Sequence, residues 1–245
     1  MTGNDDKAIL YKPRSQTEIT ANTGKMIPAL LAHSNVMRDP NFSRIELDDL
    51  RRLVTLYDIF FFQRYFTQHY KGKIFFRFSK RMTSTAGDIR HDRDRGTFQI
   101  GIAISMLFDN FTESRGEMIV NGLICSNRLE AMMRILEHEA THLIEYIVFG
   151  DSNCQAPRFK RIVKDMFGHT ETKHCLMTSK KIARLEHNIV PGSPVTFSYQ
   201  GRTIAGIVQR IGRRATVRGK DGDRYLKFYI PVDMLTPVKP AVANV

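Results

Sequence analysis

The chain has 245 residues, enough for one substantial core plus a small second unit, and its hydrophobic share of 42% excludes broad disorder. No charged-then-apolar leader opens it, and the most apolar run, at 59–62, is far too short to span a bilayer, so a soluble, cytoplasmic, monomeric protein with no membrane partner is expected. Three cysteines, Cys125, Cys154 and Cys175, argue against a disulfide framework, while a formal net charge of +12 favours polyanions, nucleic acid above all, or serves solubility alone.

In chain order, residues 1–40 mix Asn, Asp, Lys, Thr and Pro with little periodicity and read as a flexible N-terminal arm without chemistry. Ser43-Arg44-Ile45-Glu46 has capping-box form. Leu47, Leu50, Leu53, Val54, Tyr57, Phe60 and Phe61 follow at spacings of three and four, predicting one amphipathic helix that ends before Lys71-Gly72. The aromatic run through Phe62, Tyr65 and Phe66 continues its apolar face and reads as core. Residues 74–78 and 97–104 are predicted strands. Between them Thr83-Ser84-Thr85-Ala86-Gly87-Asp88 supplies turn residues. His91-Asp92-Arg93-Asp94-Arg95-Gly96 reads as a solvated hairpin loop rather than a metal cluster, because nothing apolar flanks it. Met118-Ile119-Val120 forms a third short strand broken by Gly122. Asn127 with Glu130 then opens a helix that closes at Gly150.

That helix carries the most informative stretch, His138-Glu139-Ala140-Thr141-His142. One turn apart, the two histidines project from the same helix face and can reach one zinc ion. Glu139 lies about 100° further round the helix, so it can address a water without ligating the metal, the general-base position of zinc peptidases. Leu136, Leu143 and Ile147 bury the segment, where two unpaired histidines would be costly to desolvate.

Pro157 suits the first turn of another helix, 158–167, closed by Gly168, and residues 169–175 form a polar connector. A short helix follows over 179–187. Composition changes at Val190-Pro191-Gly192-Ser193-Pro194, which is taken as a domain boundary. Beyond it, short strands with turns at Gln200-Gly201 and Asp221-Gly222 predict a small barrel of the SH3 type. Its Arg202, Arg210, Arg213, Arg214, Arg218, Lys220, Arg224 and Lys227 outnumber Asp221, Asp223 and Asp233, giving a phosphate-binding face or a solubilising surface.

The capped helix before Lys71, the segment from Phe78 to Gly87, the strand at 100–105, His138-Glu139-x-x-His142, and Pro157-Arg158-Phe159-Lys160 with Phe167-Gly168 together resemble the SprT-like, or Spartan-type, metalloprotease domain. The resemblance spans about 43–168 with its parts in the right order. It implies an α+β zincin fold, zinc as the metal and Glu139 as catalytic base. Spartan-type relatives cleave proteins bound or crosslinked to DNA, so it also implies a protein substrate and DNA rather than RNA as the nucleic acid, met through the basic barrel. The family's third histidine lies in a His-Gly-x-x-Phe/Trp-Lys segment, and the matching stretch here is Gln155-Ala156-Pro157-Arg158-Phe159-Lys160. Gln155 stands at the histidine position, and its neutral amide is a poor zinc ligand. The adjacent Cys154 offers a thiolate, so the expected ligands are His138, His142 and Cys154. Glu145 lies too far along the helix to share the ion and is expected to orient a histidine; His169 and His174 are the less favoured ligands.

The organisation expected is an arm over 1–40, a zincin domain over 41–189 and a basic barrel over 190–245. The function expected is a zinc-dependent metallopeptidase acting on DNA- or nucleoprotein-associated proteins. The alternatives are a catalytically inactive, zinc-stabilised nucleic-acid-binding adaptor, against which the retained Glu139 counts, and a hydrolase of a non-peptide bond.

Overall fold

The computed structural model describes residues 9–79, 82, 85–112, 116–212 and 214–238; the first eight residues of the arm, Lys80, Arg81, Thr83, Ser84 and Arg213 lie outside the described residues. The chain divides into two compact units, Met1–Leu176 and Met177–Val245. Among the described residues no helix is long and apolar enough to cross a membrane.

Among the described residues the first unit holds six α-helices: α1 (Gln16–His33), α2 (Leu47–Phe60), α3 (Tyr65–His69), α4 (Ile104–Asn110), α5 (Arg128–Phe149) and α6 (Pro157–Phe167). They pack with a mixed sheet of β1 (Ile74–Phe78), β2 (Gly87–Asp92) and β3 (Thr97–Ile102), and with a small hairpin of β4 (Met118–Val120) and β5 (Leu123–Cys125). In the order β1-β3-β2, the central β3 runs parallel to β1 and antiparallel to β2.

Helix α5 is central, and its ends follow from its sequence. The Asn127 side chain accepts from Glu130 N at 2.9 Å, and Gly150 takes the left-handed conformation that terminates the helix. Leu129, Met132, Met133, Leu136, Ala140, Leu143 and Ile144 are fully buried. Full burial of a leucine or isoleucine side chain stabilises by about 1.5–3 kcal/mol before ordering entropy is counted.

Several sequence expectations are corrected here. The flexible arm expected over 1–40 is ordered over much of its length. Ile19, Met26 and Leu30 of α1 join the same core as α5, and Ser15 Oγ accepts from Glu18 N to cap the helix. Helix α2 does not run on to residue 70: Gln63 and Arg64 take positive φ, and the buried Asp58 carboxylate accepts from Phe66 N and Thr67 N to restart the chain as α3. The cap of α2 is Glu46 with Asp49, three residues later than expected. The turn-and-loop segment with His91 contains strand β2, whose Asp88 pairs with Arg77 of β1 across Gly101 of β3. A Cβ at Gly101 would lie 2.2 Å from Asp88 Oδ1, so that ion pair requires glycine. His91 stacks on Phe98 at 4.3 Å instead of standing in solvent.

The second unit holds α7 (Ser179–His187) and one antiparallel sheet of five strands: β6 (Pro194–Tyr199), β7 (Arg202–Ile211), β8 (Ala215–Asp221), β9 (Arg224–Ile230) and β10 (Thr236–Pro237), in the order β10-β6-β7-β8-β9. Nothing in these pairings contradicts an SH3-like barrel. The boundary read at 190 falls inside this unit, because Ala183 of α7 and Ile189 pack into the same core as Val195, Phe197, Val208 and Phe228.

Candidate metal centre

His138 and His142 sit one turn apart on α5 with their rings against Phe159 of α6, at centroid distances of 4.8 and 4.4 Å. Pro157 opens α6 and thereby places Phe159 beneath both imidazoles. Cys154 precedes that helix and completes the cluster: ligand atoms of His138, His142 and Cys154 all lie within 4.8 Å of one another. Gln155 is exposed and donates its amide N–H to Cys154 Sγ at 3.8 Å.

A hydrogen-bond chain fixes one ring. Ser152 Oγ donates its single proton to Glu145 Oε2, so it accepts from His142 Nδ1–H at 2.7 Å. The lone pair of His142 Nε2 then points at His138 Nε2, 3.2 Å away. Two nitrogens bound to one tetrahedral zinc stand about 3.3 Å apart, so the spacing suits a shared ion. Burial, then the neighbouring His142, His169 and His174, pushes His138 down to about 3, and burial pushes His142 down to about 4. Both rings are therefore neutral near pH 7, the form that ligates. The donor set and its spacing fit zinc.

Glu139 is 5% exposed, and burial followed by the charge of Asp88 pushes its carboxyl up to about 8. It needs Gly87 beside it, because a Cβ there would stand 2.6 Å from Glu139 Oε1. Gly87, His138, Glu139, Cys154 and His174 line one cavity of about 400 Å³. A second cavity, about 650 Å³, is lined by Gln155, Lys160, Lys164 and Lys173 and shares Thr172 and Lys173 with the first.

The other sequence candidates find different places. Glu145 is buried, receives Arg158 Nε at 2.6 Å and reaches His142 through Ser152, the orienting position expected for it. His169 donates to Glu137 Oε2 at 2.6 Å rather than joining the cluster. His174 lines the cavity without belonging to the ligand group. Cys125 is buried with its thiol pushed up to about 12 by burial, and Cys175 is exposed.

Sequence reasoning missed Ser152 and the buried network around Glu137. The Glu137 carboxylate is fully buried and receives Tyr57 Oη at 2.8 Å, Arg134 at 2.7 Å and His169. Burial alone would raise its pKa; Arg134 and His169 outweigh that and hold it below the usual carboxylate value. The network clamps α5 to α2 and to the connector after α6, one residue before His138.

A family model described as SprT-like family matches residues 50–180. Among curated proteins and solved structures, none matches the chain.

Proposed function

Because the chain belongs to the SprT-like family, we propose that it is a zinc-dependent metallopeptidase acting on proteins held on DNA, with His138, His142 and Cys154 as metal ligands and Glu139 as general base. The observation that carries this reading is the convergence of the His138 and His142 imidazoles with the Cys154 thiol, at the edge of a cavity that His138, Cys154 and the buried Glu139 line. The cavity beside Glu139 and a second cavity have Thr172 and Lys173 in common, so both lie next to the candidate metal ligands and offer room for a substrate.

When bound, zinc supplies a Lewis acid that polarises the scissile carbonyl. Glu139, whose ionised form the positive charge of a bound ion would favour against the burial that raises its pKa, takes the proton of the attacking water and returns it to the leaving amine. The Ser152–Glu145–Arg158 chain holds the His142 ring in its ligating tautomer. The basic second unit brings the protein to nucleic acid, DNA in preference to RNA.

The test compares zinc-loaded wild type with Glu139→Gln on an unfolded protein and on a protein crosslinked to DNA. The expected result is cleavage by the wild type alone, with equal zinc content in both. A wild type that leaves both substrates intact favours the second reading, a zinc-stabilised adaptor. The specific feature behind that reading is Cys154, since a thiolate donates more charge than an imidazole and weakens the ion as a Lewis acid.

A further inference from the structure

The outer face of the C-terminal sheet has a composition that its core does not need. Alternation directs Val208, Ala215, Val217 and Phe228 inward. The opposite face then carries three cross-strand rungs: Arg210, Thr216 and Tyr229; Ile207, Arg218 and Lys227; and Lys220 with Tyr225. Tyr225 and Tyr229 are 64% and 62% exposed, a large solvent-facing aromatic area for one short strand. The two rings are four residues apart on β9, about 13 Å, with Lys227 between them. The Arg218 guanidinium lies 4.9 Å over the Tyr225 ring, and Ile207, Gln209, Arg218 and Tyr225 line a recess of about 420 Å³. No acid occupies a rung; Asp221 is turned to the other side of β8, where Arg202 holds it at 3.0 Å.

Alternating aromatic faces and unopposed cations match a ligand that alternates bases and phosphates. Duplex DNA keeps its base faces inside the stack, out of reach of a sheet surface, whereas a single strand presents both. An anionic membrane would meet the same charges but offers nothing to fill a recess walled by Ile207, Gln209, Arg218 and Tyr225. We propose that the outer face of β7–β9 binds single-stranded DNA, with bases stacked on Tyr225 and Tyr229 and phosphates held by Arg210, Arg218, Lys220 and Lys227. This rests on the reading of DNA as the partner and specifies the form of DNA and the residues that meet it.

The test uses the full-length, zinc-loaded protein and fluorescence anisotropy with labelled oligothymidine, a duplex of equal length, oligouridine and phosphatidylserine vesicles. Oligothymidine is expected to bind more tightly than the duplex. Tyr225→Ala and Tyr229→Ala should each weaken it about 5- to 100-fold, while Tyr225→Phe retains affinity because the ring remains. Arg218→Ala with Lys227→Ala should lower the slope of log affinity against log salt by about 1.4, roughly 0.7 for each phosphate no longer neutralised. Equal binding of single strand and duplex with no effect of the tyrosine variants overturns the proposal, as does tighter binding of oligouridine. Vesicle binding that is abolished in the same variants, without oligonucleotide binding, assigns the face to a membrane and overturns it too. Cleavage of an unfolded protein by the wild type, assayed without DNA, separates the two readings: intact cleavage with no oligothymidine binding by the wild type removes this inference and leaves the peptidase standing.

Discussion

The two units treat charge in opposite ways. Every buried polar or charged residue among the described residues lies in the first unit, including Glu137, Glu139, Glu145 and His169 around α5; the core of the second is apolar throughout. Burying a charge is costly unless partners compensate, and Glu137 and Glu145 have them in Arg134, His169, Ser152 and Arg158. In the second unit Arg218, Lys220 and Lys227 stay solvated and cost almost nothing to keep. The contrast separates a place where chemistry is prepared from a surface that meets a partner, and substitutions in the two should fail in different ways.

The largest expected effect is chemical. Glu139→Gln keeps shape and helix but removes the proton acceptor, so turnover should fall by about 10²- to 10⁴-fold while zinc content and melting temperature hold. Assays on zinc-quantified protein check this, and a variant that cleaves at wild-type rate would show that Glu139 is not the base. The next effect is structural. Glu137→Ala strands Arg134 and His169 without their shared anion and should destabilise the first unit by about 3–5 kcal/mol in a denaturant titration. A loss under about 1 kcal/mol would mean that the network is dispensable for stability.

How much of this was legible in the sequence depends on how local each signal is. Helix α5 was readable because its cap residues Asn127 and Glu130, its stop at Gly150 and its apolar spacing all lie within the helix or beside it. Helix α1 was not: Ser15 and Glu18 carry a capping signal, but Gly24 and Pro28 interrupt a weak stripe that only packing against the rest of the unit stabilises. Strand β2 was hidden because Asp88, Arg90 and Asp92 look like a loop, and pairing with β3 makes them a strand. Cys154 was reached through the resemblance, which set Gln155 at the family's histidine position, and through the stronger ligand chemistry of the thiol beside it; the structure brings it within 4.8 Å of both histidines. The bond from Tyr57 to Glu137 spans 80 positions and that from His169 spans 32, so neither leaves a local trace.

A smaller effect sharpens the site itself. Cys154→Ala should strongly weaken zinc retention in a chelator competition, and Gln155→Ala should change it little, since the glutamine is exposed. Ser152→Ala frees the His142 ring and leaves Glu145 without that hydrogen bond, so affinity should drop about 10- to 100-fold with the ligands intact. The reverse order of Cys154 and Gln155 would assign the third ligand to the glutamine.

The smallest effect is on the stability of the C-terminal sheet. Tyr225 and Tyr229 are more than half exposed, and Lys220 and Lys227 are exposed on the same face, so their replacement by alanine removes little buried area and no buried partner. Each should shift unfolding by no more than about 0.5 kcal/mol. Phe228, one position away on β9 and 6% exposed, packs at 5.1 Å from both Phe197 and Tyr199, and its truncation to alanine should cost about 3–5 kcal/mol. Paired melts of Tyr229→Ala and Phe228→Ala read this difference directly. Comparable losses at the two positions would mean that the outer ring also supports the fold. A near-zero loss at Tyr229 would leave a partner as the physical reason for placing a large aromatic in water beside Lys227.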